Sequence, residues 1–286
     1  MSQAGFLVVD KPAGPTSHDI VDKARAATAI KKIGHAGTLD PPATGVLVLA
    51  LDRATRLIRY VQDFDKEYEA TVRFGVATTT LDATGDEVAR NPMPLSVAHL
   101  EKALERFRGV IEQVPPMFSA LKMQGQRLHE IARAGEEVER RPRQILIHEL
   151  ELKSFKPGDF PEAELRVVCS KGTYVRSLGD DIAISLGGRA HLTGLRRTRV
   201  GGFSLDSAIS PDRWEGWEQA LAPPEAVAVE MEQVRLEGPQ RRAVMNGRPL
   251  VSEGREGLLA MLDEDGRLMA VYRRVGTEAR AEVVLS

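Results

Sequence analysis

A short segment rich in glycine and proline carries one carboxylate and constrains this chain more than any other feature. Residues 34–45 read GHAGTLDPPATG, with Asp40 directly before Pro41. Glycine permits backbone angles that a side chain would block, and Pro41 biases Asp40 away from helical angles. The apolar run at residues 46–51 predicts a buried strand. We therefore expect a rigid loop on a core strand that holds Asp40 in a fixed position, although the same residues also form ordinary structural turns.

Composition excludes several classes of site. The chain of 286 residues has one cysteine, Cys169, which excludes an internal disulfide and a cysteine-based zinc site. The six histidines lack metal-ligand spacing, and no phosphate-binding loop motif of the Walker type follows the glycines. We therefore expect no metal site. Without a signal peptide or a run of eighteen apolar residues, the expected location is the cytoplasm, with no membrane partner.

The positive charges are unevenly distributed, although the formal net charge is only −2. The stretch from Ile182 to Leu205 contains arginines and no acidic residue. Basic runs of this kind predict contact with a nucleic-acid backbone, while a solvated protein face remains the alternative. The arginines and lysine concerned are Arg189, Arg196, Arg197 and Arg199, with Arg53, Arg56 and Arg59 upstream, and Lys122, Arg127, Arg133, Arg140, Arg141 and Arg143 in the middle of the chain.

The periodicity of apolar residues and the positions of glycine and proline predict a fold of the α/β class, and within that class the α+β kind. Thr16 and Asp19 have the spacing of a helix capping box, and apolar and polar residues alternate from 67 to 74 as in a strand with Tyr68 on its apolar face. We also predict helices at 96–107 and 179–186, strands at 145–152 and 164–169, a short strand through Thr173–Arg176, and a hairpin joining 258–262 to 268–272.

Two domains are expected. The segment APPE at residues 222–225 predicts a boundary, so that residues 1–225 form a large domain and residues 226–286 a small β-rich one. Within the large domain, residues 110–143 combine prolines, glycines and many charges, and predict an inserted, mobile segment. Its basic residues are among those expected to contact a nucleic-acid backbone.

Several motifs resemble those of pseudouridine synthases of the TruB type, which act on the uridine at position 55 of tRNA. The segment GHAGTLDPPATGVLVLAL resembles the catalytic motif of that family. Four more segments resemble family motifs in the same order along the chain: FLVVDKPAGPTSHDIV at 6–21, KEYEATVRFG at 66–75, CSKGTYVRSLGDDI at 169–182 and HLTGLRRTRVGGF at 191–203. Residues 115–143 resemble a further family segment.

The resemblance implies a fold and a reaction. The expected fold is a catalytic domain with a central mixed, largely antiparallel sheet flanked by helices, followed by a small C-terminal domain resembling PUA domains, which bind RNA. The expected reaction is isomerisation of uridine 55 in the T arm of tRNA, which involves no oxidation or reduction, so we expect no cofactor. The resemblance also implies a monomer that needs no protein partner.

Three residues match the catalytic set of the family. Asp40 matches the nucleophile, but the sequence leaves open whether it attacks the ribose carbon, attacks the uracil ring or abstracts a ribose proton. Arg176 matches an arginine whose guanidinium would keep a buried Asp40 ionised. Tyr68 matches a tyrosine that lies against the uracil ring, where it would stack or mediate a proton transfer.

Further residues match positions that contact nucleotides, namely His35, Tyr174 and Leu195, with Arg196 and Arg197 beside them. Lys11 and Pro12 are expected to support the Asp40 loop. Phe118, His129 and Thr79 depart from the residues usual at their positions, none of which belongs to the catalytic set.

Three other functions remain open. A subunit of an RNA-guided pseudouridine synthase would need protein partners and a guide RNA. A tRNA-binding chaperone would fold tRNA, with catalysis secondary or lost. A nucleoside hydrolase would use Asp40 to release free uracil, whereas an isomerase keeps the base attached.

Overall fold

A computed structural model describes residues 4–119, 121–123, 126–128, 131, 136 and 138–285. The α-helices of the described residues are α1 (Ser17–Thr28), α2 (Ile58–Asp63), α3 (Val97–Leu104), α4 (Val175–Ser185) and α5 (Pro239–Met245). The strands are β1 (Gly5–Lys11), β2 (Ile33–His35), β3 (Thr44–Leu51), β4 (Lys66–Phe74), β5 (Val76–Thr78), β6 (Glu87–Arg90), β7 (Gly109–Gln113), β8 (Lys122–Met123), β9 (Gln126–Arg127), β10 (Arg143–Lys156), β11 (Glu162–Cys169), β12 (Ala190–Val200), β13 (Phe203–Ser204), β14 (Glu232–Arg235), β15 (Leu250–Val251), β16 (Gly257–Leu262), β17 (Leu268–Val275) and β18 (Glu278–Val284).

The described residues form two compact units. The first unit comprises residues up to 41, residues 45–64 and residues from 199 on, and the second comprises residues 42–44 and 65–198. The predicted boundary at 225/226 is not one of the breaks between these units, and the division into domains of residues 1–225 and 226–286 stays a prediction.

The first unit contains Asp40 and the N-terminal and C-terminal residues that the structure describes. Strand β3 pairs antiparallel with β1 and with β2. The C-terminal residues form a five-stranded sheet in the order β14-β16-β17-β18-β15, in which β14 and β16 are parallel and the other pairs antiparallel. One hydrophobic cluster joins residues of β1 and β3 to residues of β16, β17 and β18. This cluster packs the C-terminal sheet against the strand that follows Asp40.

The second unit is built on a sheet in the order β12-β4-β11-β10-β7. The pairs β4–β11, β11–β10 and β10–β7 are antiparallel. Residues of α3 and α4 pack on the apolar face of this sheet. The expected α+β fold, with a largely antiparallel sheet, flanking helices and a β-rich C-terminal region, is confirmed.

Local sequence signals account for several elements. The side chain of Thr16 accepts a hydrogen bond from the backbone N–H of Asp19, and the Asp19 carboxylate accepts one from the N–H of Thr16, so the predicted capping box starts α1. Ser96 caps α3 in the same way through the N–H of His99. In β4 the side chains alternate between buried and more exposed positions from Lys66 to Phe74, as predicted.

Three sequence-based boundaries are wrong. Thr173–Arg176 is not a strand, because Tyr174 is the N-cap of α4 and Arg176 lies in the first turn of that helix. The helix predicted at 179–186 therefore begins earlier. The inserted segment does not start at residue 110, since residues 109–113 form β7, which pairs with β10. His129 lies outside the described residues.

Candidate active site

The loop that carries Asp40 runs between β2 and β3 and is anchored on both sides of the carboxylate. On one side, the Ser17 hydroxyl donates to the Leu39 carbonyl at 3.1 Å and accepts from the Leu39 N–H at 2.9 Å. On the other side, the Pro41 carbonyl accepts from the Gly14 N–H at 2.8 Å. Because both flanking residues are fixed by hydrogen bonds, the backbone of Asp40 is held in one position.

Lys11 supplies a third anchor from inside the first unit. Its side chain is 0% exposed, and Nζ donates to the Pro12 carbonyl at 2.8 Å and to the Pro41 carbonyl at 3.1 Å. A buried ammonium is costly unless such acceptors satisfy it. The prediction that Lys11 supports the Asp40 loop is confirmed.

The loop requires glycine at three positions, for two different structural reasons. Gly37 and Gly45 have φ of 116° and 102°, angles that residues with a Cβ rarely adopt. Gly34 precedes His35 in β2, and a Cβ there would lie 2.8 Å from Cδ1 of Ile58. His35 is half-buried at the end of β2, opposite Leu49 of β3. The predicted loop before a buried core strand is therefore confirmed, and its hydrogen bonds support the expectation that it is rigid.

Tyr68 lies on the apolar face of β4, as the alternation predicted. Its side chain is 8% exposed and belongs to the cluster that packs against α4, and its backbone lies opposite Val167 of β11. Leu195 of β12 packs against the same cluster. The structure thus brings Tyr68 and Leu195 to one apolar region of the second unit.

Arg176 is a buried side chain with several acceptors around it. It is 6% exposed, and its guanidinium donates from Nη1 to the Thr80 carbonyl at 2.8 Å and from Nη2 to the Phe118 carbonyl at 2.9 Å. Nη1 also lies 3.6 Å from Oδ2 of Asp82. The planar guanidinium is held by groups from two separate loops, which fixes its orientation.

Asp82 is a partner that the sequence analysis did not identify. Its Oδ1 accepts from the Thr80 hydroxyl at 2.7 Å and from the Thr84 N–H at 3.0 Å, an arrangement typical of an aspartate that closes a turn. The segment TTTLDATGD has the composition of such a turn, but nothing local indicates that its carboxylate meets an arginine 94 residues later.

Tyr174 is positioned by its backbone. Its N–H donates to Oε1 of Gln113 at 2.8 Å, and its carbonyl accepts from Nε2 of Gln113 at 3.1 Å. Tyr174 itself is half-buried. Gln113 was likewise not identified from the sequence.

The two adjacent arginines of β12 have different environments. Arg196 is half-buried, its Nη1 lies 3.4 Å from the Thr44 hydroxyl, and it lines a cavity of about 460 Å³ together with Glu69, Lys153 and Glu164. Arg197 is 2% exposed. A guanidinium so deeply buried cannot lie along a solvated RNA backbone without rearrangement, which argues against the predicted phosphate contact of Arg197.

The upstream arginines hold the C-terminal strand. Arg53 donates to the Leu285 carbonyl at 3.3 Å, Arg56 to the Val284 carbonyl at 2.5 Å, and Arg59 to Oε2 of Glu282 at 2.9 Å. These three side chains therefore fasten the end of the chain to the region that follows β3. The three residues are nevertheless exposed, and the expectation that they follow RNA stays a prediction.

The described residues contain no group of three or more histidine, cysteine, aspartate or glutamate side chains placed to hold a metal ion. No helix in the described part of the chain has the length and apolar character needed to cross a membrane. Cys169 is buried, and burial raises the pKa of its thiol to about 11, so the group is an unreactive thiol at neutral pH.

Comparisons with known proteins give a consistent result. Residues 25–175 match the family model described as TruB family pseudouridylate synthase (N terminal domain). A protein of Thermobifida fusca (strain YX) named tRNA pseudouridine synthase B is 40% identical over 288 residues, covering 99% of this chain and 98% of the relative. A protein of Symbiobacterium thermophilum with the same name is 47% identical over 244 residues, covering 85% of this chain and 82% of the relative.

Among solved structures, the chain is similar to one in a crystal structure of a Cbf5-Nop10-Gar1 complex. The TM-score is 0.78 at 26% sequence identity, with 99% of this chain and 85% of that chain covered. The match extends over both compact units.

Proposed function

Since the chain belongs to the TruB family of pseudouridylate synthases, we propose that it isomerises uridine 55 in the T arm of tRNA to pseudouridine. The observation that carries the proposal is the similarity to curated tRNA pseudouridine synthase B proteins along nearly the whole chain. Asp40 and its anchored loop lie inside the segment matched by the family model.

The reaction requires no net oxidation or reduction. The bond from ribose C1′ to uracil N1 breaks, the base rotates, and a bond from C1′ to ring carbon C5 forms. C5 loses its proton and N1 gains one, so atoms and electrons balance within the nucleotide. What the protein must supply is a nucleophile or base, a site for the extruded base and a route for one proton.

Asp40 is the proposed catalytic carboxylate. A carboxylate divides the reaction into easier steps through a covalent intermediate or a proton abstraction, and the attack on the ribose carbon, the attack on the uracil ring and the abstraction of a ribose proton all remain open. The hydrogen bonds to Leu39 and Pro41 support this role, because they fix the backbone on either side of Asp40. Each of the three routes needs the ionised form.

Arg176 is proposed to pair with Asp40 and keep it ionised. A permanent cation favours the charged form of a neighbouring carboxylate, and a guanidinium suits this role because it does not lose its proton. Asp40 belongs to the first unit and Arg176 to the second, so the pairing is a prediction about the assembled protein.

The base must leave its stack to be rearranged, and extruded bases are read by stacking and by contacts to their edges. We assign Tyr68 to the uracil ring and Leu195 to an apolar contact near it. Their shared place on the apolar face of the second unit supports this assignment. His35, Tyr174 and Arg196 are proposed to contact the RNA, while the burial of Arg197 leaves it a supporting role.

The proposed partner is the T arm of tRNA, and the proposed active form is a monomer without protein partners. A tRNA substrate places the activity in the cytoplasm. The fold is also similar to a chain solved in a complex with other proteins, which keeps an RNA-guided synthase as a second candidate.

One experiment separates these functions. The purified chain is incubated with unmodified tRNA transcript, and pseudouridine is mapped by nucleotide position. The proposal predicts pseudouridine at position 55 without added protein or guide RNA. An RNA-guided subunit would be inactive alone, a hydrolase would release uracil, and a chaperone would change tRNA folding without product.

A further inference from the structure

Gln113 is a buried side chain that bonds another element twice. It is the last residue of β7 and is 2% exposed. Its carboxamide accepts from the Tyr174 N–H at 2.8 Å and donates to the Tyr174 carbonyl at 3.1 Å. A carboxamide that uses its oxygen and its nitrogen on the same residue fixes both the position and the orientation of that backbone.

The residue held by Gln113 is the start of the helix that carries Arg176. Tyr174 is the N-cap of α4, and its own side chain makes no capping hydrogen bond. A helix start normally relies on a local polar side chain to accept from its first N–H groups. Here a glutamine 61 residues earlier in the chain fixes the N-cap residue itself, two positions before Arg176.

The residues after Gln113 are tied to the same turn of α4. The Ser177 hydroxyl lies 3.4 Å from the Val114 carbonyl, and Arg176 donates to the Phe118 carbonyl at 2.9 Å. The segment from Gln113 to Phe118 and the first turn of α4 therefore hold each other at several points, with the carboxamide of Gln113 as the buried centre.

We propose that Gln113 is a positioning residue for the isomerisation, acting through the backbone of Tyr174 to set the guanidinium of Arg176. The inference rests on the proposed function. Gln113 does not touch the uridine; it keeps the start of α4, and with it Arg176, in a fixed position within the second unit. Loss of this contact is expected to slow the chemical step while tRNA affinity is nearly kept.

The isosteric variant Gln113→Glu gives a signature that a general loss of stability would not give. An ionised carboxylate still accepts from the Tyr174 N–H but faces the Tyr174 carbonyl with a second acceptor, whereas a protonated carboxyl donates to that carbonyl as glutamine does. Burial raises the pKa of such a group. At pH 8 we expect the single-turnover rate to be about 10-fold or more below that of the parent protein, because a buried carboxylate oxygen then faces the Tyr174 carbonyl with no proton between them and the two acceptors repel each other.

The ratio of variant to parent rate should then rise as pH falls to 5.5, and tRNA affinity should stay within about 3-fold throughout. Glu112→Gln is the matched control, since Glu112 is the exposed neighbour on β7, and it should behave like the parent at each pH. A constant rate ratio across this range, or a parent-like rate at pH 8, would overturn the proposal.

A second variant tests whether Gln113 acts through Arg176. In the otherwise unchanged protein, Gln113→Ala should lower the single-turnover rate. In a protein that already carries Arg176→Lys, it should cause little further loss of rate, because the side chain that Gln113 positions has already been replaced. Equal losses in the two backgrounds would contradict the proposal. The parent protein is assayed in parallel, and its failure to form pseudouridine would refute the proposed function itself rather than the role of Gln113.

Discussion

Arg176 and Asp82 form a buried ion pair, with Nη1 of the guanidinium 3.6 Å from Oδ2 of the carboxylate. The same guanidinium donates to the carbonyls of Thr80 and Phe118. Because two different nitrogens of the guanidinium bind these acceptors, the arrangement depends on the forked shape of arginine as well as on its charge.

Arg176→Lys should therefore lose activity although it keeps the positive charge. One ammonium cannot reproduce the hydrogen bonds to both carbonyls, and two buried acceptors lose a charged donor. We expect a fall in single-turnover rate of about 100-fold or more, measured on unmodified tRNA.

The partner of Arg176 in catalysis is tested by the double variant with Asp40→Glu. If the two side chains act as a pair, the loss of activation free energy in the double variant should be far from the sum of the losses in the two single variants. Additive losses would place Arg176 on another group, such as a phosphate.

Tyr68 is tested by two substitutions that separate its ring from its hydroxyl. If Tyr68 only stacks on the base, Tyr68→Phe should keep most activity and Tyr68→Ala should lose it. If the hydroxyl mediates a proton transfer, Tyr68→Phe should lose about 100-fold or more in rate while tRNA binding remains. Tyr68→Ala with parent kinetics and affinity would remove Tyr68 from the site.

Arg196 and Arg197 should respond differently to salt. Each phosphate contact contributes roughly 0.7–0.9 to the slope of log affinity against log salt. Arg196→Ala should flatten the slope by about that amount. Arg197→Ala should leave the slope unchanged and lower the thermal unfolding midpoint, because its side chain is buried. The reverse result would show that Arg197 reaches RNA.

Asp180 and Asp181 are adjacent in α4, and we expect their replacement by asparagine to have opposite effects on stability. Burial, with a contribution from Asp180, raises the pKa of Asp181 from 3.8 to about 6. The folded protein thus binds this proton more tightly than the unfolded chain, and ionisation of Asp181 lowers stability as pH rises through this range. Asp180 instead accepts two hydrogen bonds from Arg189, each at 2.9 Å.

Asp181→Asn should therefore raise the unfolding midpoint at pH 7.5, by roughly 2 °C. The gain should disappear below pH 3.8, where the carboxyl is protonated in both states. Asp180→Asn is the matched comparison and should lower the midpoint at pH 7.5. Equal losses from both substitutions would contradict the environment assigned to Asp181.

The elements predicted correctly from the sequence depend on neighbours close in the chain. The capping box of Thr16 and Asp19 spans four residues, and the alternation around Tyr68 reports the two faces of one strand. The bends of the Asp40 loop are likewise favoured by local residues, Gly37 and Gly45, whereas its anchors Ser17 and Lys11 lie more than twenty residues earlier than the groups they bind.

The features missed from the sequence depend on contacts between distant residues. The segment Thr173–Arg176 has the local character of a strand, but Gln113 fixes Tyr174 as the start of a helix. The internal partners of Arg53, Arg56 and Arg59 could not be predicted, because the carbonyls and the carboxylate that these side chains bind lie more than 200 residues later. Charge pattern alone does not distinguish an arginine that binds RNA from one that binds its own chain.

Asp40 is the proposed catalytic carboxylate, so its substitution is the sharpest test of the proposed function. Asp40→Asn keeps the size of the side chain and removes its ionisable carboxyl, so we expect a fall in rate of roughly 10⁴-fold or more with tRNA affinity nearly unchanged. The decisive measurement is a single-turnover assay of the parent protein and Asp40→Asn on unmodified tRNA, with pseudouridine mapped at nucleotide resolution. We expect pseudouridine at position 55 with the parent and none above background with the variant. Pseudouridine formed at position 55 by Asp40→Asn at the parent rate would contradict this expectation.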